Sequence, residues 1–535
     1  MPTQHIAYAS TGYFSKTVCD YLSQQETLKD FYGNFPALEN FENQINQKAK
    51  SFKDASRKTL VKQLKLQYKG ISTSEATKKN IESLSNNNTF TITTGHQLNL
   101  FTGPLYFLYK IISVINLSEE LCKAHPDNHF VPVYWMATED HDFDEINYFN
   151  FQGKKVVWDR ETGGAVGELS TEGLQQVFIA FENELKRNFG FSDHAKQLLK
   201  LFKKAYLDHG TLTEATRYLG NQLFKDYGLV IVDGNDRELK RAFIPYTQKE
   251  LTAQLSFHKV SETTKALIEA GYGEQVHPRE INLFYLKDGI RERIVAAEGG
   301  YIINDTELTF TKTEILVELQ EYPERFSPNA LLRPLYQEVI LPNLCYTGGG
   351  GELAYWFQLK DYFESVAVPF PILLLRNSAV LVSEKAGQTL ERLDVNVEDL
   401  FKKQHALQAV YTKKISNIEI DFSQQRAHLK DQFKSMYEIA TKTDASFIGA
   451  VGAQEKKQLK GLDHLEKRLL KAQKRKHEEL VIKVTALQDS LFPQHSLQER
   501  NTNFAEFYLE YGPELINKLK KELRPLDLRF SVIEL

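Results

Sequence analysis

Along residues 38–52 and 59–68 apolar positions return every three or four residues between charged ones, so the first 85 residues read as mostly helical. The polar run Ser85-Asn86-Asn87-Asn88-Thr89 ends that pattern. Residues 90–93, Phe-Thr-Ile-Thr, are aromatic and β-branched and predict a short strand that runs out into Thr94-Gly95-His96-Gln97. A helical stretch follows from near Pro104 to about Cys122, then a second apolar strand over residues 130–135, then Ala137-Thr138-Glu139-Asp140-His141-Asp142. Strand, polar loop, helix, strand, polar loop is how a parallel α/β sheet begins. Residues 147–164 are strand-like with glycine breaks, 171–225 helical, and 227–234 another buried strand. Residues 265–320 mix short strands with turns, 329–360 hold helices broken by a glycine run, and 371–376 make the last strand of the sheet.

Beyond about residue 380 the pattern changes. Glycine and proline become rare, charges multiply, and Leu459, Leu462, Leu465 and Leu469, then Leu480, Val484, Leu487 and Leu491, form a helical stripe. That predicts a long antiparallel helical hairpin or coiled coil. Its basic run, residues 467–476, reads as a solvated face, with a contact surface for an acidic partner as the alternative. A helix and a strand-like segment at 529–533 close the chain.

Composition narrows the class. The 535 residues suggest three to four structural units at about 150 residues each. With 42% apolar and 25% charged residues, the chain is neither disordered nor fibrous. Sixty-six basic against 70 acidic residues give a net charge of -4, which argues against a general nucleic-acid binder. No apolar run is long enough to span a bilayer and no signal peptide is visible, so a cytoplasmic protein without a membrane partner is expected. The three cysteines, Cys19, Cys122 and Cys345, have no CxxC spacing and read as reduced thiols.

Ligands of open parallel sheets bind at the carboxyl ends of the strands, and three such ends carry polar clusters. At the first, Gly95 allows a tight exit, and His96 and Gln97 sit where a helix entry favours phosphate, with Thr102 or Gly103 as cap and Pro104 in the first turn. The second, Glu139-Asp140-His141-Asp142, supports two readings: a carboxylate–histidine pair that deprotonates or orients an amine, or a platform for a divalent metal. The third combines Arg333, suited to bidentate carboxylate binding, with Gly348-Gly349-Gly350-Gly351-Glu352 and Tyr355-Trp356. The glycines let a backbone approach a ligand closely; the aromatic pair fits a packed core equally well. Asp233 and Asn235 end a further strand and are candidates for the same site. P-loop, GxGxxG, HExxH and GxSxG motifs are all missing.

Taken together, Thr94-Gly95-His96-Gln97 with Phe101-Thr102-Gly103-Pro104, Ala137 to Asp142, Arg333-Pro334 and Gly348 to Trp356 resemble the bacillithiol biosynthesis cysteine-adding enzymes, the BshC family. The resemblance covers essentially the whole chain. It implies a Rossmann-like nucleotidyltransferase core, akin to class I aminoacyl-tRNA synthetases, with two inserted connecting segments and a coiled coil that mediates homodimerisation. The implied boundaries are N-terminal helices and first core part at 1–146, insertions at 147–215 and 263–322, core at 216–262 and 323–383, coiled coil at 384–492, and a C-terminal segment at 493–535 packing on the core. The implied reaction joins cysteine to the amine of glucosaminyl-malate, the last step of bacillithiol synthesis, with ATP and Mg²⁺ activating the carboxylate.

On that basis the expected catalytic residues are His96, Glu139, Asp140 and His141. Thr94, Gly95, Gln97, Asn99 and Gly103 are expected at the nucleotide. Asp142, Asp233, Asn235, Arg333, Gly349, Gly350, Glu352, Tyr355 and Trp356 are expected at the substrates, with Arg333 on the malate carboxylates. Two features depart from the related synthetases: no Lys-Met-Ser-Lys-Ser-like segment follows the last strand, where Glu384-Lys385-Ala386-Gly387 stands, and no Cys/His set offers a zinc site, so no structural zinc is expected. The alternatives are a nucleotidyltransferase acting on another small substrate and a nucleotide-binding coiled-coil scaffold without catalysis.

Overall fold

The computed structural model describes residues 3–190 and 192–535, and these divide into two compact units, residues 3–380 with 498–533 and residues 381–497 with 534–535. In the first unit five parallel strands form the core sheet: β1 (Thr89–His96), β2 (His129–Met136), β3 (Val230–Asp233), β4 (Asn343–Gly348) and β5 (Ile372–Leu375). Their order is β5-β4-β1-β2-β3. Every residue of β1 is buried, as expected of a parallel strand covered on both faces. The long helix α1 (Tyr106–Ala124) returns the chain from β1 to β2. From β1 the chain builds outward through β2 to β3, then comes back to lay β4 on the other side of β1. That reversal puts the topological switch point between β1 and β4.

Three shorter helices serve the strand ends: α2 (Arg237–Arg241), α3 (Arg333–Ile340) and α4 (Gly350–Trp356). Asp236 caps α2 by accepting from the backbone N–H of Glu238 and Leu239. Pro334 sits in the first turn of α3, where its fixed φ fits and its missing N–H costs nothing. Between β2 and β3 lie a hairpin, Tyr148–Phe151 with Lys154–Val157, and the helices Leu174–Phe189, Asp193–Tyr206 and Leu212–Phe224. Between β3 and β4 a five-stranded antiparallel sheet orders Thr309–Thr311, Gly300–Ile303, Ile290–Ala297, Leu283–Lys287 and Phe326–Pro328. The strand at 529–533 expected from sequence, observed as Phe530–Glu534, pairs antiparallel with Gln4–Ile6 near the chain start.

The entry to α1 differs from expectation. Neither Thr102 nor Gly103 caps it, and Pro104 precedes it: the helix starts at Tyr106 with no side-chain cap. Before it, Phe101, Thr102 and Gly103 all take positive φ, at 48°, 67° and 62°. Distant side chains hold this turn. The Phe101 N–H donates to the Tyr206 hydroxyl at 2.8 Å, and the Asn503 amide donates to the carbonyls of Phe101 and Gly103 at 2.8 and 2.6 Å. The Phe101 ring is clamped among Phe149, Phe181, Phe202 and Phe504.

The second unit contains α5 (Gln404–Ile415), α6 (Ser423–Ala440), α7 (Ala445–Lys476) and α8 (Glu478–Leu491). Asp444 caps α7 through the N–H groups of Ser446 and Phe447. The core that α6 and α7 share is thin: Phe433, Ala440 and Val451, with Leu429 and Tyr437 against it. The expected leucine stripe is divided. Leu465 is exposed, the helix breaks at His477, and Val481, Val484, Leu487 and Leu491 are buried on α8. No helix among the described residues is long and apolar enough to cross a membrane.

Candidate active site

A cavity of about 650 Å³ opens at the carboxyl ends of β1, β2 and β4. Gly95 and His96 line it from β1, Glu139 to Asp142 from the loop after β2, Arg333 from the start of α3, and Glu352 and Tyr355 from α4. The antiparallel sheet adds Phe284, Arg291 and Arg293. Residues up to 260 positions apart in sequence meet here because parallel strands all deliver their loops to the same edge.

One side is organised around Lys110. Its ammonium, buried on the inner face of α1, donates to the Gly95 carbonyl at 2.7 Å and pairs with Glu352 at 2.6 Å. Glu352 also accepts from the Tyr346 hydroxyl at 2.6 Å and the Gly349 N–H at 3.0 Å. Burial pushes the Glu352 carboxyl up, but the Lys110 charge and these hydrogen bonds outweigh it and hold the group at about 2. Burial pulls the Lys110 ammonium below its usual range, with Glu352 opposing. The pair is ionic. His96 packs beside it between Tyr106 and Phe107, and burial, then the Lys110 charge, lower its pKa from 6.5 to about 3. It is therefore a neutral imidazole at neutral pH, and its Nε2 has no partner. Arg333 donates to Gln337 at 3.1 Å and to the Tyr355 hydroxyl at 3.4 Å, and lies over the Tyr346 ring.

The other side is the loop after β2. Glu139 is ion-paired with Lys240 of α2. Asp140 accepts from the His141 N–H at 2.8 Å and from Gln97 at 2.9 Å, with the Arg291 guanidinium 4.0 Å away. Burial pushes its carboxyl up, but the His141 and Gln97 hydrogen bonds and Arg291 hold it well below the usual carboxylate range. An Arg291 N–H meets His141 Nδ1, and the His141 ring packs on Phe284 at 5.5 Å. Asp142 is half exposed, 3.9 Å from His141 Nε2. Asp140, His141 and Asp142 bring their ligand atoms within 4.8 Å of one another, which is the geometry of the metal reading. A guanidinium at the ring nitrogen disfavours a dication there.

Several expected site residues lie elsewhere. Thr94 is fully buried and donates to the Thr347 carbonyl at 2.7 Å, tying β1 to β4. The Gly349 N–H holds Glu352, and a Cβ on Gly350 would meet Val18 at 3.0 Å; neither glycine lines the cavity. Trp356 is core, stacked on Tyr346 at 4.7 Å. Asp233 accepts from the Thr138 hydroxyl at 2.5 Å and the Asn235 N–H at 2.9 Å, while Asn235 accepts from Lys240 at 3.2 Å; both brace the loop behind the cavity. Asn99 and Gly103 line a second cavity of about 320 Å³ with Glu145 and Arg500, which shares only Gln97 and Tyr106 with the first.

Comparison with known proteins decides the family. Residues 1–377 match the description "Bacillithiol biosynthesis BshC, N-terminal Rossmann-like domain", and residues 379–535 match its "C-terminal coiled-coil domain". The chain belongs to the BshC family. A relative from Christiangramia forsetii is 56% identical over 100% of this chain and 99% of its own length, and one from Flavobacterium johnsoniae 55% identical over 100% of both. One from Cytophaga hutchinsonii is 38% identical over 99% and 98%. All three carry the name "Putative cysteine ligase BshC". Membership makes the chain an enzyme of the ligase class, in bacillithiol biosynthesis, built from a Rossmann-like domain and a coiled-coil domain.

Seen in this BshC chain, the residues that sequence reasoning passed over are mostly cations: Lys110, Lys240, Arg279, Arg291 and Arg293. Lys110 did leave a trace, as a lone charge in the apolar run Phe107-Leu108-Tyr109-Lys110-Ile111-Ile112. The arginines left none, since charged residues on a hairpin normally face water.

Proposed function

We propose that this enzyme joins the carboxyl of cysteine to the amine of glucosaminyl-malate, with ATP making that carboxyl reactive. The observation that carries the reading is the convergence of the tips of β1, β2 and β4 with Arg333 on one cavity at the switch point of a BshC-family sheet. Amide formation from a free carboxylate in water is uphill, and a nucleotide bound at the β1 end supplies the leaving group that drives it. The neutral His96 with its unpartnered Nε2 fits contact with that nucleotide. Mg²⁺ fits as the counter-ion of its phosphates rather than as a ligand of Asp140 and His141.

The loop after β2 receives the amine. Glu139 is committed to Lys240 and Asp140 stays ionised, so neither is the proton acceptor of choice. Asp142 with His141, at the solvent edge, takes the proton that the amine releases on attack. Arg333 steadies a substrate carboxylate. The coiled-coil unit carries the homodimer contact: Met436 and Ile439 on α6 and Phe447 on α7 are exposed near a core of few residues, and Leu465 is exposed further along α7.

The test is reconstitution with ATP, cysteine and glucosaminyl-malate, read by mass spectrometry, alongside thiol profiling of a deletion strain. The cysteinyl product forms in vitro, and in the deletion strain it disappears while glucosaminyl-malate accumulates. Unchanged thiols in that strain would sink the reading.

A further inference from the structure

The charges that line the cavity do not cancel. Glu139, Asp140 and Glu352 each have a cation of their own, in Lys240, Arg291 and Lys110. Among the described residues Arg279 and Arg293 line the cavity with no side-chain hydrogen bond or ion pair, and Arg333 has only two neutral partners. Against these three guanidiniums stands one carboxylate without a cation, Asp142.

The antiparallel sheet aims this surplus. Arg291 and Arg293 are two apart on one strand, so they share a face. Phe284 pairs with Arg293 in register; the Arg291 guanidinium lies 4.0 Å over the same ring, and His141 packs on it. Phe284 thus docks the insertion onto the loop after β2, Arg291 is consumed in the joint, and Arg293 is left facing the cavity.

We propose that Arg279 and Arg293 clamp the two carboxylates of the malyl group and so determine which amino-sugar conjugate is accepted, a role that rests on the ligase reading. A guanidinium fork matches a carboxylate bidentately, and two unpaired forks lining one cavity suit a dicarboxylate. Nucleotide phosphates share this anionic chemistry, and the experiment separates the two sources.

Arg279→Gln and Arg293→Gln, singly and together in the full-length enzyme, are compared with wild type. Calorimetry gives Kd for malate alone and for glucosaminyl-malate; steady-state assays give KM for all three substrates. The double variant should weaken glucosaminyl-malate about 100-fold, about tenfold per lost charge-assisted contact, with KM for ATP and cysteine within about twofold of wild type. Unchanged glucosaminyl-malate binding overturns the clamp while leaving the ligase reading intact, and a rise confined to the KM of ATP assigns the arginines to phosphate instead. If wild type binds malate through these arginines but forms no amide, the clamp stands and the ligase reading falls. If wild type binds neither malate nor glucosaminyl-malate, both fall.

Discussion

The two units hold their charges in different ways. The Rossmann-like unit has exposed pairs on its surface but also buries some outright: Lys48 with Glu338 at 2.8 Å, both nearly inaccessible, and Arg376 with Glu499 at 2.7 Å. Each is braced further. Glu338 accepts from Gln337 and Asn343, and Glu499 accepts from Ser378 and the Ala379 N–H. In the coiled-coil unit the pairs sit in solvent, as in Arg426 with Asp463 and Glu466 or Lys402 with Asp399. A buried charge stripped of its partner has no water to turn to, whereas an exposed one is simply rehydrated. The buried charges of the first unit therefore have a single arrangement, which a catalytic cavity requires. The second tolerates change along its length.

That contrast can be broken in steps. The largest effect is expected from removing residues 390–485, which should leave a monomer if the proposed coiled-coil contact makes the full chain a dimer; light scattering that still shows a dimer after the removal refutes that contact. Next, Glu338→Leu strands the Lys48 ammonium and should cost about 3–5 kcal/mol in urea unfolding. A cost below about 1 kcal/mol would mean that the buried pair is not a constraint. Lys110→Met removes the tie between Gly95 and Glu352 and should lower turnover about 100-fold with unfolding still cooperative. Turnover near wild type would remove Lys110 from the positioning of the cavity.

His96 gives a pH test of the same idea. Its folded pKa of about 3 lies below the ordinary 6.5, so as pH falls through that window the unfolded chain takes up a proton that the folded chain refuses. Stability from this group is complete above about pH 6.5 and is lost toward pH 3. His96→Gln should flatten that acid limb in denaturation curves at stepped pH and abolish turnover at pH 7; an unchanged limb would place the ring in water. The smallest effect is Arg426→Ala on α6, which should leave the thermal-unfolding midpoint close to that of wild type. A clear drop would show that the solvated pairs of the coil carry weight after all.

Much of this was legible in the chain. β1 and β2 announce themselves because strands buried on both faces favour β-branched, aromatic and apolar residues, and the charged clusters after them stand out against those runs. The glycine run was legible but ambiguous. A glycine before a helix looks the same whether it admits a ligand or, as at Gly350, a neighbouring valine. Thr94, Asp233 and Asn235 were assigned to ligands because they end strands, yet their side chains are consumed by hydrogen bonds across the sheet or to neighbouring loops. The turn at Phe101 was illegible, since its positive φ is held by residues far away in sequence, among them Tyr206, Asn503 and the ring clamp around Phe101.

Local pattern by itself determined most of the order of strands and helices, the change of regime near residue 380, and the loops that carry polar groups; it missed β4, whose buried Asn343–Gly348 lies inside a stretch that reads as helical. These follow from the periodicity with which a chain must alternate oil and water to bury one face. Which of those groups meet, which are spent on each other, and that Arg279 and Arg293 are left over were decided only when the sheet and its insertion packed together. Pairing between charges depends on distance in space, and neighbours along the chain do not encode it.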